Sequence, residues 1–444
     1  MFHSVVAMDY LEIKGGTPLR GEVHISGSKN SVLPILAATL LTEDTCVIHR
    51  VPDLSDVKHL CKILKTLGAE VIEEKGCITV TAKQIKPYGD YDIIRKMRGS
   101  ICIMGPLLGR LHEARVSMPG GCAIGSRPIN LHLDGFKALG SDILLDRGYV
   151  VATAAKLKGT TLFMGGRNGS TVLGTANVMM AATLAEGDTV IEYAACEPEI
   201  KDLADFLIKM GAKIQGAGSP TIHISGVKKL HGAEHSVIPD RIEAATYAIA
   251  GVATNGEVTL LDAEPEHIQS ILHELKLANV ECNVQGKVIT VKRKGELKPV
   301  SIATQPYPGF PTDVQAQFMA LSTQAQGISI ITERIFESRF MHVPELGRLG
   351  ARIDLEGTSA IIQGGFKLKG APVMCSDLRA SAALVIAGLA AEGTTIVTRI
   401  YHLDRGYEQM DKKIQVLGGD IARWSTDENN PRYRPIPPSL AVEE

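Results

Sequence analysis

The sequence predicts an α/β protein of two domains, each built from three similar units, with helices buried inside and sheets outside. Three observations carry that reading. At 444 residues the chain exceeds what one ordinary core holds. One phrase recurs six times: Leu67-Gly-Ala-Glu-Val71, Leu139-Gly-Ser-Asp-Ile143, Met210-Gly-Ala-Lys-Ile214, Ala278-Asn-Val-Glu-Cys282, Leu349-Gly-Ala-Arg-Ile353 and Leu417-Gly-Gly-Asp-Ile421. Its second residues are spaced by 72, 71, 68, 71 and 68 positions, a regularity that marks duplicated architecture. Stretches such as Thr175 to Leu184 carry small residues and Met with no charge, so a helix there is apolar all round and belongs inside.

The phrase is the end of a helix. Leu60, Ile63, Leu64 and Leu67 lie at helical spacing, and the glycine that follows suits the left-handed residue after a helix, with asparagine replacing it once. A strand of alternating apolar residues then begins, as in Cys77-Ile-Thr-Val-Thr81. A second phrase lies upstream, a small-residue helix running into a turn and strand. Its copies include Ala37 to Thr45, Ala181 to Thr189 and Ala387 to Thr395. Six units in two domains imply three per domain and pseudo-threefold symmetry.

The totals exclude several classes. Hydrophobic residues make up 45% and charged residues 22%, and a net charge of -2 gives no overall pull toward nucleic acid or membrane. No basic-then-apolar leader and no run of membrane-spanning length is present. Eight cysteines without CxxC spacing predict a reducing, cytosolic setting and neither a disulfide framework nor a zinc site. Nothing in the sequence sets an oligomeric state.

In chain order, the motifs that break the repeat carry the candidate chemistry. Ser26-Gly-Ser-Lys-Asn30 ends a strand and opens a helix over 31–41, where Lys29 meets a helix N-terminus suited to anions. Arg98 begins an otherwise apolar helix over 101–108. Met118 to Pro128 holds three glycines, two prolines, Cys122 and Arg127 in eleven residues. A nearby cation lowers a thiol pKa, so Cys122 is a candidate reactive thiol, although an ordinary surface loop fits the same residues. Val237 to Ile242 interrupts the pattern between the third and fourth units, as Ser26 to Asn30 does before the first. If both are crossovers, 29–238 forms one domain, 1–28 joins 239–424 in the other, and a cleft between them is the ligand site.

Asp313 follows the Phe310-Pro-Thr turn, where a helix N-cap is the plainer reading. Arg339 and His342 precede another helix, Asp377 and Arg379 enter a small-residue helix, and Arg405 lies in Tyr401 to Tyr407. Six cations at such turns, Lys29, Arg98, Arg127, Arg339, Arg379 and Arg405, favour a ligand with several negative charges. No P-loop, no dinucleotide fingerprint and no metal-ligand cluster is found, so no cofactor is expected. From Ser425 the tail is polar and carries four prolines, which predicts disorder over 425–444.

These motifs together resemble the UDP-N-acetylglucosamine 1-carboxyvinyltransferase family, in the wider group of EPSP synthase-like enzymes. The resemblance runs from Leu11 to about Arg423. It rests on Ser26 to Asn30, Pro119 to Pro128, Glu197-Pro-Glu199, Pro239 to Glu243, Phe310 to Asp313, Arg339 to Glu345, Asp377-Leu-Arg379 and Asp404 to Tyr407. It implies two inside-out α/β barrel (prism) domains, each of three βαβαββ repeats. It also implies transfer of enolpyruvate from phosphoenolpyruvate to the 3′-hydroxyl of UDP-N-acetylglucosamine, releasing phosphate.

By motif, Cys122 resembles the acid that protonates the phosphoenolpyruvate methylene carbon and the thiol alkylated by fosfomycin. Asp313 resembles the base for the sugar hydroxyl. Lys29, Arg127 and Arg405 match the groups that bind phosphoenolpyruvate. Asn30, Arg98, Ile335 and the stretch Arg127, Pro128, Ile129, Asn130 and Leu131 match contacts to the nucleotide sugar. Asp377 and Arg379 match phosphate-side or supporting groups. Ser170 and Thr171 are carried over as nucleotide-sugar contacts from a turn, Gly169 to Thr175, that departs from the family pattern. Cys196 stands where the family often has arginine. Two other readings remain: an EPSP synthase on the same fold, or a catalytically silent paralogue that binds sugar nucleotides. Intact Cys122, Asp313, Lys29 and Arg405 weigh against the silent one.

Overall fold

The computed structural model describes residues 8–88, 94, 97–118 and 129–436, the side chain of Arg98 excepted. Among them twelve α-helices alternate along the chain between two environments. The odd-numbered helices are α1 (Lys29–Ala38), α3 (Met104–Leu111), α5 (Val172–Ala182), α7 (Arg241–Ala253), α9 (Gln315–Ser322) and α11 (Leu378–Ala390). They are buried on nearly every side. The even-numbered helices are α2 (Ser55–Leu67), α4 (Asn130–Ala138), α6 (Pro198–Lys209), α8 (Gln269–Leu277), α10 (Val343–Arg348) and α12 (Met410–Val416). These bury one stripe and leave most of their lysines outside, as α2 does with Leu60, Ile63, Leu64 and Leu67 inward, although α6 also buries Glu199 and Asp202.

Each even helix ends at the recurring phrase, and the residue that follows is left-handed every time. Gly68, Gly140, Gly211, Asn279, Gly350 and Gly418 have φ of 103°, 92°, 99°, 71°, 92° and 84°. At Ala69, Ser141, Ala212, Ala351 and Gly419 the next N–H returns to the carbonyl five residues earlier, satisfying the helix end. The chain then enters an antiparallel pair, such as Glu70–Glu74 with Cys77–Thr81 or Arg352–Glu356 with Ser359–Gln363. In the last unit, the partner of Asp420–Ser425 comes from the other end of the chain, Asp9–Lys14. Arg20–His24 likewise pairs in parallel with Glu257–Leu261. Among the described residues six sheets of three or four strands result, and their alternating burial turns one face onto the helices.

Two separate apolar cores form. One gathers residues from Val32 to Val237; the other joins Leu11 to Ile25 with Ile242 to Ile421. Inside the first, α3 and α5 approach closely because α3 presents glycine. A Cβ on Gly105 would stand 2.3 Å from the Asn177 carbonyl oxygen, and Gly105 N–H donates to Asn177 Oδ1 at 2.9 Å. The chain passes between the cores twice, and the two passages pair with each other. Ser28 N–H donates to Ile238 O at 2.8 Å, and Asp240 N–H donates to Ser26 O at 2.9 Å. Gly27 is required there, since a Cβ would lie 1.8 Å from the Arg50 carbonyl oxygen.

The segment from Ser425 to residue 436 is not the free tail its composition predicts. Thr426 N–H donates to Met8 O at 2.9 Å, Tyr10 donates its hydroxyl to Arg434 O at 3.0 Å, and Arg434 is ion-paired with Glu12. The Arg434 guanidinium also lies 4.9 Å from the Trp424 ring centre. Composition hides this because the partners stand at the opposite end of the chain. Residues 437–444 lie outside the described ones. No helix among the described residues is long and apolar enough to cross a membrane.

Candidate active site

The inner helices bring their first turns to the seam between the two cores. Lys29 is the first residue of α1, and its backbone N–H is held by Asp240 Oδ2 at 3.0 Å, from the cap of α7. Its side chain is buried, with Nζ 2.9 Å from Asp56 Oδ2. Arg405, from the second half, reaches the other oxygen of the same carboxylate through Nε at 2.9 Å. Burial pushes the Lys29 ammonium pKa down, Asp56 resists that, and Arg379 and Arg405 add to the lowering. Burial favours protonated Asp56, but Lys29 and Arg405 outweigh it and hold the carboxyl below its usual range.

Asp313 lies in the single turn Thr312–Val314 that precedes α9. It is not a helix cap. Its Oδ1 accepts from Arg339 Nη1 at 2.9 Å, and Oδ2 accepts from Arg379 Nε at 3.3 Å. Asn30 Nδ2, from the other half, approaches Oδ2 at 3.4 Å. Burial acts to raise this carboxyl's pKa, but Arg379 and Arg339 together hold it far below the ordinary carboxylate range. Asp313 is therefore held as a carboxylate at neutral pH.

Arg379 is the most constrained cation of the group. It is fully buried, its Nε is used by Asp313, and neither Nη1 nor Nη2 makes a well-aligned hydrogen bond among the described residues, although the Tyr407 hydroxyl is near. The Tyr407 ring lies 5.2 Å from the guanidinium carbon, and its hydroxyl is engaged by Thr246 and Gln317 at 2.9 and 3.0 Å. A desolvated guanidinium fork of this kind is complementary to an anionic oxygen pair. Asp377 caps α11, its Oδ1 accepting from Arg379 N–H at 2.7 Å, and stands 4.0 Å from Arg339 Nη2. Beside it, burial lowers the His342 pKa to about 4, which leaves that imidazole neutral.

The structure thus brings Lys29, Asn30, Asp313, Asp377, Arg379 and Arg405 to one seam. The nucleotide-sugar candidates form its flank. Ile129 opens α4, with Asn130 and Leu131 in its first turn, and Leu131 lies against the hairpin of Gly165–Gly166 with Gly169–Ser170. That hairpin touches the second half, where Asn168 Nδ2 donates to Ile335 O at 3.1 Å and Arg167 lies 3.5 Å from Glu337. Ser170 is in the hairpin itself, whereas the Thr171 hydroxyl caps α5 by accepting from Gly174 N–H at 3.2 Å. Arg98 opens the short helix Arg98–Ile103 ahead of α3. Cys122, Arg127 and Pro128 lie outside the described residues.

Sequence reasoning missed Asp56, whose local setting is that of any first-turn carboxylate on an outer helix. It also missed Thr312 as the partner of Arg339 Nη1, at 2.9 Å. No local signal marks either, because their partners are remote in sequence.

A family model for EPSP synthase (3-phosphoshikimate 1-carboxyvinyltransferase) matches residues 13–414. A UDP-N-acetylglucosamine 1-carboxyvinyltransferase of Methylacidiphilum infernorum is 56% identical over 416 residues, covering 94% of this chain and 99% of that one. One from Coxiella burnetii is 51% identical over 430 residues, covering 96% and 98%. Among solved structures, the enolpyruvyl transferase NikO from Streptomyces tendae superposes with a TM-score of 0.84 at 26% identity, covering 94% of this chain and 99% of that one. An EPSP synthase from Acinetobacter baumannii, with a TM-score of 0.70 at 17% identity over the same shares, shows the common fold. The chain belongs to the EPSP synthase family of carboxyvinyltransferases, within its UDP-N-acetylglucosamine 1-carboxyvinyltransferase branch.

Proposed function

We propose that the protein transfers the enolpyruvyl group of phosphoenolpyruvate to the 3′-hydroxyl of UDP-N-acetylglucosamine and releases phosphate, the first committed step of peptidoglycan synthesis. The observation that carries this reading is Arg379, a buried guanidinium beside an ionised carboxylate, whose two outer nitrogens lie near the Tyr407 hydroxyl but form no well-aligned hydrogen bond. It suits a small anion with phosphate and carboxylate ends, held next to a base.

The addition protonates the methylene carbon of phosphoenolpyruvate, and positive charge develops at the adjacent carbon. The sugar oxygen attacks there and yields its proton to Asp313. Loss of phosphate and of one methyl proton then restores the double bond. Cys122 is our assignment for the acid, on the motif alone. Lys29 and Arg405, with Arg127 from the glycine-rich stretch, are assigned to phosphoenolpyruvate. In the free protein Asp313 is a weak base, because Arg339 and Arg379 stabilise its ionised form. When the substrate anion engages Arg379, Asp313 loses part of that stabilisation and regains basicity, while Arg339 stays on its Oδ1. The base is thereby activated only once its reaction partner is bound. Asn30, Arg98, Ile335 and the Ile129 to Leu131 turn are assigned to the nucleotide sugar, and Asp377 to orienting Arg379.

The setting we assign is the cytosol, supported by seven unpaired thiols among the described residues. The curated names of the relatives favour this substrate pair over shikimate 3-phosphate. Phosphate release measured with phosphoenolpyruvate and either acceptor decides between them. Release with UDP-N-acetylglucosamine is expected; release with shikimate 3-phosphate instead overturns the assignment.

A further inference from the structure

Glu333 follows the strand Ile328–Thr332 and is fully buried, yet both of its oxygens are occupied. Oε1 accepts from the Thr304 hydroxyl at 2.7 Å and from the backbone N–H groups of Ile335 and Phe336 at 2.8 and 3.0 Å. Oε2 accepts from the Thr312 hydroxyl at 2.9 Å. Because that hydroxyl has directed its proton to Glu333, it presents a lone pair to Arg339, whose Nη1 donates to it at 2.9 Å. The second hydrogen of the same Nη1 goes to Asp313 Oδ1, also at 2.9 Å. A single carboxylate thus fixes the polarity of a chain that ends on Asp313. Its other oxygen pins the backbone at Ile335, whose carbonyl receives Asn168 from the opposite half.

We infer that Glu333 is a positioning residue for the reaction: through Thr312 it sets the Arg339 guanidinium that aims Asp313, and through Oε1 it holds the Ile335 wall in the same unit. This rests on Asp313 being the base. A strand-end clasp with no catalytic consequence is the plain alternative, and the two differ in what they do to kcat. An amide at 333 keeps one oxygen for Ile335 and Phe336 but offers Thr312 a donor, reversing the chain. Replacing Thr312 by valine removes the same link without touching the loop.

Glu333→Gln and Thr312→Val are therefore expected each to lower kcat about tenfold or more. Thr312→Val should change KM for UDP-N-acetylglucosamine by less than about threefold, since the loop is intact. The double variant should be no slower than the slower single one, because both cut one chain. Thr312→Ser, which keeps the hydroxyl, should restore kcat to within about twofold of the parent. Parent-like kcat in both single variants, effects that multiply, or a serine variant as slow as the valine one overturns the inference. If Glu333→Gln does not fold, the Thr312 pair decides it. An inactive parent enzyme overturns the proposed reaction instead, so the two failures are distinct.

Discussion

At the residue scale, the site is a balance of a few buried charges. Asp313 lies between two arginines, and Asp56 between Lys29 and Arg405. Asp313→Asn removes the proposed proton acceptor while keeping its shape, so kcat should fall by about 10²–10⁴-fold. Binding of UDP-N-acetylglucosamine, read by calorimetry, should persist, and a variant with near-parental turnover would show that another group takes the proton. The pH dependence has a definite sign. A carboxyl whose folded pKa is depressed contributes stability that is present above its unfolded value, about 3.9, and lost only as pH falls through the folded value. The stability difference between parent and Asp313→Asn, from urea unfolding, should therefore be the same at pH 5 and pH 8. A difference that shrinks between those values would mean that Asp313 titrates in that range. At Cys122 the expectation comes from the motif: Cys122→Ser should survive fosfomycin, and loss of activity on treatment would place the target elsewhere.

At the element scale, the sequence was most legible where geometry is local. A helix end needs a left-handed residue, so six glycine or asparagine positions announced six helix ends, and all six have positive φ. The inner helices were legible because their middles carry no charge on any face and the few charged residues sit at their ends. What stayed hidden depends on contacts that no window contains. Arg98–Ile103 winds as a 3-10 turn ahead of α3, and the Gly165–Ser170 hairpin reads as an irregular turn. Asp56 acquires its role from Arg405, which is 349 residues away. The same logic gives the inner helices their intolerance. Gly105 allows α3 to meet α5 backbone to backbone, so Gly105→Ala forces a methyl to within 2.3 Å of the Asn177 carbonyl oxygen. We expect a loss of about 1–3 kcal/mol in denaturant unfolding, the usual cost of overpacking. An unchanged midpoint would mean that the two helices separate more easily than their packing implies.

At the scale of the whole molecule, two cores joined by two paired crossovers make a structure that can hinge without losing either core. The seam is closed in this structure by contacts that each half supplies to the other. These include Arg405 on Asp56, Asn30 near Asp313, and the 165–170 hairpin on Ile335 and Glu337. Such contacts are polar and charged, whereas the interiors on either side are apolar, so ligand charge can bias closure. Arg405 is the informative probe because it spans the seam, reaching Asp56 of the first half from the second. Arg405→Ala removes one charge-assisted contact of about 1.5–3 kcal/mol, so KM for phosphoenolpyruvate should rise about 10- to 150-fold. Stabilisation by UDP-N-acetylglucosamine, about 2.7 kcal/mol at a hundred times its Kd, should remain in a thermal or denaturant melt. If the sugar nucleotide no longer stabilises the variant, Arg405 is needed for closure itself. If neither quantity moves, Arg405 is not a phosphoenolpyruvate contact, and Lys29 and Arg379 hold that anion without it.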